Sequence, residues 1–209
     1  TCALPIYAEG KVIQPDAVPG DVRFRDTDGN GEIDEDDKIY SGSGIPKLEA
    51  NLNLGISYKG FDFSMLLGSG WGHKLYNANR FYFEGMSSPS NFFKTTLNAW
   101  TDSNHSTSMP RAVLGDPNRN SRESTRFLEN GNFVRCRQLQ LGYNLPTSLL
   151  KKIQIEKLRI YVSGENLFTI TDYSGIDPEF SRSSVLNTGV DNLTYPFTKS
   201  YVVGLQLTF

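Results

Sequence analysis

The last nine residues alternate strictly. Tyr201, Val203, Leu205, Leu207 and Phe209 hold the odd positions; Val202, Gly204, Gln206 and Thr208 hold the even ones. Side chains on a strand point to opposite faces in turn, so this stretch has one apolar face and one mostly small or polar face. Such a strand either packs on a soluble core or turns its apolar face to lipid and the other to the lumen of a barrel. The same alternation recurs four times upstream. In 48–58, Leu52, Leu54, Ile56 and Tyr58 oppose Asn51, Asn53, Gly55 and Ser57; in 61–69, Phe61, Phe63, Met65 and Leu67 oppose Asp62, Ser64, Leu66 and Gly68. In 132–143, Leu139, Leu141 and Tyr143 oppose Gln138, Gln140 and Gly142, with Arg135 and Arg137 interrupting the apolar face at its start. In 157–168, Leu158, Ile160 and Val162 oppose Arg159, Tyr161, Ser163 and Glu165. The expectation is an all-β chain, an antiparallel meander of about five long strands.

The connections are uneven. A two-residue turn, Lys59-Gly60, joins the first pair, and 144–156 holds Pro146 and a short basic helical turn at Leu149, Leu150, Lys151 and Lys152. The excursions at 70–130, with possible helical turns at 75–85 and 91–100, and at 169–197 are much longer. In a meander the short connections and the C-terminus share one side and the excursions share the other, the asymmetry of an outer-membrane barrel. Tyr58, Phe61, Tyr143 and Phe209 fall at the short-turn ends, where an interfacial aromatic girdle would lie. No run approaches the ~18 apolar residues of a membrane helix, which leaves strands as the only crossing elements. Twenty-one Lys+Arg against 23 Asp+Glu exclude a basic nucleic-acid footprint. Cys2 and Cys136 are too few for a disulfide framework. A start without Met or a signal peptide suggests a piece of a longer protein. Pattern alone leaves a membrane barrel and a soluble β domain both open.

Seven segments then occur in a telling order: Gly20–Phe24 with Asp26–Asp34, Ser57–Asp62, Asn130–Arg135, Leu141–Pro146, Arg159–Phe168, Tyr173–Glu179, and the terminal strand. From about residue 19 to 209 the series resembles the C-terminal portion of the SusC/RagA family of TonB-linked outer-membrane transporters of Bacteroidetes. The resemblance implies the C-terminal part of a 22-stranded transmembrane β-barrel with long extracellular loops. Residues 1–47 would be an extracellular segment and 48–209 barrel strands and loops. It implies import of oligosaccharide or peptide with a SusD-like surface lipoprotein as lid, TonB acting through a missing N-terminal part, and a lipid bilayer around the barrel. Phe209 resembles the signal read by the outer-membrane assembly machinery. Residues 1–18 and Cys136 have no counterpart in the resemblance.

One metal candidate stands out. Counting Asp26 as position 1, Asp28 is 3, Asn30 is 5, Gly31 is 6, Glu32 is 7, Asp34 is 9 and Asp37 is 12. Calcium needs many oxygens, and Gly at 6 permits the turn that makes them converge. Asp at position 12 is closer to a dockerin loop than to an EF-hand. The flank Val22-Arg23-Phe24 alternates like a strand rather than a helix. A Ca²⁺ here would pin an extracellular loop, and a calcium-stabilised soluble or surface β-rich binding module is the alternative function. Asp177 and Glu179, two carboxylates across a Pro, read as loop structure rather than a catalytic pair. No Ser/His/Asp set or phosphate loop points to an enzyme. His73 and His105 read as surface or packing residues. Trp71, Tyr76, Tyr82 and Trp100 are candidates for contact with cargo or lid.

Overall fold

The computed structural model describes residues 7–8, 11–151, 154–180 and 187–209. Cys2 and Lys152 lie outside them. The chain divides into two compact units, Thr1–Gly42 with Asn77–Leu128 and Ser43–Tyr76 with Glu129–Phe209.

The first unit holds little regular structure. Strands β1 (Tyr7–Ala8) and β2 (Lys11–Val12) pair antiparallel. The stretch 22–24 does not form the strand its alternation suggests, because side chains replace a ladder partner. The Val22 N–H donates to Asn120 Oδ1 at 2.8 Å and the Phe24 N–H to Gln14 Oε1 at 2.8 Å. Gln14, Asn118 and Asn120 are buried and joined by their amides, so these polar side chains substitute for secondary structure. The helical turn expected at 75–85 is α1 (Ala78–Phe83), capped by Asn77, whose side chain accepts from the Arg80 N–H at 3.2 Å. The turn expected at 91–100 is a 3-10 helix at Lys94–Asn98.

The second unit carries the long strands. They are β3 (Leu48–Tyr58), β4 (Phe61–Trp71), β7 (Phe133–Asn144), β8 (Lys157–Glu165) and β11 (Ser200–Thr208), of 11, 11, 12, 9 and 9 residues. They form one antiparallel sheet in the order β11-β8-β7-β4-β3, each long enough for a tilted barrel strand. Lys59 and Gly60, at φ 47° and 88°, make the double left-handed turn that matches strand twist. Between β7 and β8, Pro146 opens a short helix α2 (Thr147–Leu150) that buries Leu150. The fourth strand ends at Glu165, three residues before the alternation suggests, because Asn166 turns left-handed at φ 51°. The chain then returns as β9 (Thr169–Thr171) and pairs with the start of β7. A second sheet, β10-β5-β6, joins Val190–Asp191, Lys74–Asn77 and Leu128–Asn130. Leu75, Tyr173 and Phe180 form a small core beside it.

Register turns alternation into two opposed surfaces. One row across the long strands reads Ile56–Phe63–Leu141–Val162–Val203. The next reads Tyr58–Phe61–Tyr143–Ile160–Leu205, with the Phe61 and Tyr143 rings 4.5 Å apart at the short-turn end. Among the described residues no layer covers this face: Ile56 is 65% exposed, Leu205 66% and Val203 76%, and Leu52, Leu54, Ile160, Val162 and Leu207 are exposed with them. Leu158 is half-buried. A soluble module would bury these side chains under a second sheet or a helix. No helix among the described residues is long and apolar enough to cross a membrane.

Candidate functional site: the polar face of the sheet and the acidic loop

The opposite face of the sheet is polar, and its rows read Ser57–Asp62–Gly142–Tyr161–Gly204 and Gly55–Ser64–Gln140–Ser163–Val202. Glycine supplies flat ground on which long side chains lie. Asp62 on β4 and Arg159 on β8 are separated by the whole of β7, yet Arg159 Nε donates to Asp62 Oδ1 at 3.0 Å. The pair closes over Gly142, where a Cβ would come within 2.6 Å of both partners. The Arg159 guanidinium lies 4.9 Å from the centroid of the Tyr161 ring, which in turn covers Gly204.

At the far end of β7 a bulge decides which face two arginines occupy. The register slips between Leu66 and Leu67, which pair with Gln138 and Cys136, so Arg137 is an extra residue. In an unbroken strand Arg135 and Arg137 would share the apolar face with Leu139 and Leu141. The extra residue reverses the phase. Arg135 pairs opposite Gly68, and a Cβ on Gly68 would meet Arg137 Nε at 2.1 Å. Both arginines therefore stand on the polar face, and the sequence expectation that they interrupt the apolar face is corrected by one inserted residue.

The second excursion supplies their partners. Arg135 is buried and pairs with Asp177, and its Nε lies 3.4 Å from Glu179. Arg137 donates to Glu179 Oε1 at 2.7 Å, and the Phe197 ring lies 5.1 Å from the Arg135 guanidinium carbon. Asp177 also accepts from the N–H groups of Glu179 and Phe197, at 2.9 and 3.0 Å. Asp177 and Glu179 are thus loop structure of a definite kind: they anchor the excursion to the polar wall. The signal was two arginines and two acids at the same i, i+2 spacing.

The acidic loop is positioned by the amide network upstream of it. Asp26 accepts from the N–H groups of Gly29 and Gly31, at 2.7 and 3.0 Å. Both glycines have positive φ, 79° and 86°, which lets the turn close. Asp26, Asp28 and Asp37 each bring a carboxylate oxygen within 4.8 Å of one another. Glu32 and Asp34 stand outside that trio. Asn30 and Asp34 shape the loop: Asn30 Oδ1 accepts from the Glu32 N–H at 2.8 Å, and Asn30 Nδ2 donates to Asp34 Oδ2 at 3.2 Å. The N–H of Thr27, then that of Asp34, holds the Asp37 carboxyl below its ordinary value, so it is ionised at neutral pH.

The aromatic candidates divide. Trp71 ends β4 and is 41% exposed; Tyr82 is exposed with its ring edge-on to Phe81. Tyr76 lies on β5 with its hydroxyl buried. Trp100 stacks on His105 at 5.0 Å and lies against Gly20. His73 is buried with its ring edge-on to Phe133. His73 is a packing residue, and His105 is a surface residue stacked on Trp100. Phe209 follows the end of β11 and is exposed.

No family model matches the chain. Curated relatives do. TonB-dependent receptor P3 of Formosa agariphila is 35% identical over 210 residues, 97% of this chain and 20% of the relative. TonB-dependent receptor SusC of Bacteroides thetaiotaomicron is 30% identical over 209 residues, 97% of this chain and 19% of that protein. Among solved structures, the RagAB peptide transporter superposes with TM-score 0.73 at 33% identity, over 91% of this chain and 20% of the other. The RagAB peptide importer in the open-open state gives 0.72 at 30% identity, over 90% and 20%. The chain spans about a fifth of the length of these proteins. The relatives are receptors and transporters, not enzymes.

Proposed function

From the premise that this chain is a SusC/RagA-type segment of a TonB-dependent receptor, we propose that it supplies part of the wall and mouth of an outer-membrane importer for oligosaccharides or peptides. The uncovered apolar face opposite a polar, charge-paired face carries this reading. Lipid would cover Ile56, Val162, Val203 and Leu205, and the face bearing Asp62, Gln140, Arg159 and Arg137 would line the conduit. The excursions would stand at the cell surface, where a SusD-like lipoprotein would cap them. TonB would act on a part of the protein outside this segment. Phe209 would serve the assembly machinery.

The test uses the full-length protein in outer membranes. Val162→Cys should be silent to a membrane-impermeant maleimide and Gln140→Cys reactive through the lumen. Equal labelling of the two would remove the barrel placement. Cells deleted for the gene should lose growth on one class of peptide or oligosaccharide as sole nutrient, and unaffected growth on both classes would remove the import role.

We further propose that the acidic loop takes calcium, with Asp26, Asp28 and Asp37 as the converging carboxylates and Asn30, Asp34 and the Glu32 carbonyl, at positions 5, 9 and 7, completing the set. Calorimetry of the full-length protein with calcium should give binding heat that Asp26→Ala/Asp28→Ala abolishes. A wild type without heat sinks the proposal.

A further inference from the structure

The surface of the first unit has an open pocket of about 340 Å³ that neither the calcium reading nor the polar wall uses. It is lined by Ser87, Gly115, Asp116, Arg119, Ser121 and Arg122, and its size is at the lower end of small-molecule sites.

Its backbone is held in uncommon conformations. Gly115, Asp116 and Arg119 are left-handed, at φ 79°, 45° and 55°. The two non-glycine residues persist in that region only because their surroundings enforce it, at about 1–3 kcal/mol each. The Gly115 N–H donates to the Ser87 carbonyl at 2.9 Å, tying the two walls, and the Arg119 N–H donates to the Asp116 carbonyl at 2.8 Å.

The charges are unequally committed. Asp116 accepts from the Asn120 N–H, the Ser121 N–H and the Ser121 hydroxyl, at 2.7, 2.8 and 2.6 Å, so local donors occupy both its oxygens. The Arg122 guanidinium is immobilised. Its carbon lies 4.2 Å from the Phe24 ring centroid, its Nε donates to the Arg119 carbonyl at 3.3 Å, and one Nη donates to the Asn118 carbonyl at 3.2 Å. These acceptors are neutral. Among the described residues neither Arg119 nor Arg122 has a salt-bridge partner. Burial lowers the Arg122 pKa, the like charge of Arg119 lowers it further, and the Asp116 carboxylate offsets part of this. A bound anion would offset the like-charge repulsion between the two arginines. An oriented, partly desolvated arginine beside a second free one is the donor set that carboxylates select.

We propose that this open pocket is a binding site for a carboxylate-bearing ligand, held by Arg119 and Arg122, with Ser87 on the opposite wall. The carboxylate comes from a peptide C-terminus or from a uronic acid. Assigning it to imported cargo rests on the import reading; the binding itself does not.

The test compares ligand pairs on the full-length protein in detergent by calorimetry. N-acetyl-tetra-alanine is set against its C-terminal amide, and a glucuronic-acid disaccharide against its methyl ester. The acid of one pair should bind about tenfold more tightly than its neutral partner, a factor that one charge-assisted contact supplies. Preference in the peptide pair alone identifies a peptide terminus; preference in the sugar pair alone identifies an acidic glycan. Arg119→Asn removes the guanidinium and retains a residue that accepts left-handed φ, so the local fold should survive and the preference should fall to twofold or less. Lys157→Gln, at the exposed start of β8, should leave it intact. Flat results in both pairs, or an undiminished preference in a folded Arg119→Asn variant, overturn the site. A growth defect in the deletion strain with flat ligand pairs would leave import standing and remove only the clamp.

Discussion

Asp21 is the most informative residue to perturb, because one fully buried carboxylate holds together distant parts of the first unit. Arg111 Nε donates to its Oδ1 at 2.7 Å and Nη2 to its Oδ2 at 3.1 Å; Asn120 Nδ2 and the Val18 N–H add bonds of 2.8 and 2.9 Å. Asp21→Asn keeps the shape, removes the charge and turns one acceptor into a donor facing donors. Breaking a buried pair from one side costs about 3–5 kcal/mol. Local opening rather than barrel unfolding should report it, so hydrogen exchange is the suitable assay. Protection of the Val22 and Arg111 amides, which donate to Asn120 Oδ1 and the Gly20 carbonyl, should drop by about two to three and a half orders of magnitude at 1.4 kcal/mol per decade. Burial pushes the Asp21 carboxyl up, but the bonds from Arg111, Asn120 and Val18, with the Arg111 charge, outweigh it and hold the folded pKa below its ordinary value. Its stabilisation is therefore complete above about pH 5, where the unfolded carboxyl is also ionised, and fades as pH falls through the lowered folded pKa. A drop in protection of less than tenfold, or wild-type protection lost already between pH 7 and 6, would refute this account.

Two further perturbations address the sheet. Val162→Arg places a charge in the apolar band and should cost up to about 4 kcal/mol, the value near the bilayer midplane, while Ser163→Arg on the polar face should be near neutral; the yield of folded protein in outer membranes measures the contrast. Arg135→Met strands the buried Asp177 carboxylate and should loosen the excursion by about 3–5 kcal/mol, seen as faster proteolysis near residues 172–180. Adding Asp177→Asn should recover part of that loss, and equal cleavage of the single and double variants would argue against the pairing.

Period-two alternation made the long strands legible because each has one face that must be apolar along its length. The starts of β3, β4 and β8 and the Lys59-Gly60 turn follow from it directly. It misled where polar side chains took over the backbone's hydrogen bonds, as Gln14 and Asn120 do at 22–24, and where Asn166 left the strand in a left-handed conformation that Asn tolerates. The sheet β10-β5-β6 was hidden for a different reason. Its strands are two to four residues long and distant in sequence, so no periodicity can accumulate. At the acidic loop, spacing identified Asp26, Asp28 and Asp37, which do converge. Asp34, named by the same spacing, does not join that trio; its carboxylate accepts from Asn30 Nδ2 and the Asp36 N–H.

The extra residue at Arg137 also bears on how such a chain can change. On a strand with one wet and one greasy side, a point substitution alters a single position. A single-codon insertion or deletion re-phases everything beyond it. Here the insertion exchanges the faces of Phe133, Val134, Arg135 and Cys136 while the rest of β7 keeps its register. A new charged wall, and with it a docking point for a surface loop, is thus one indel away from an otherwise unaltered barrel strand.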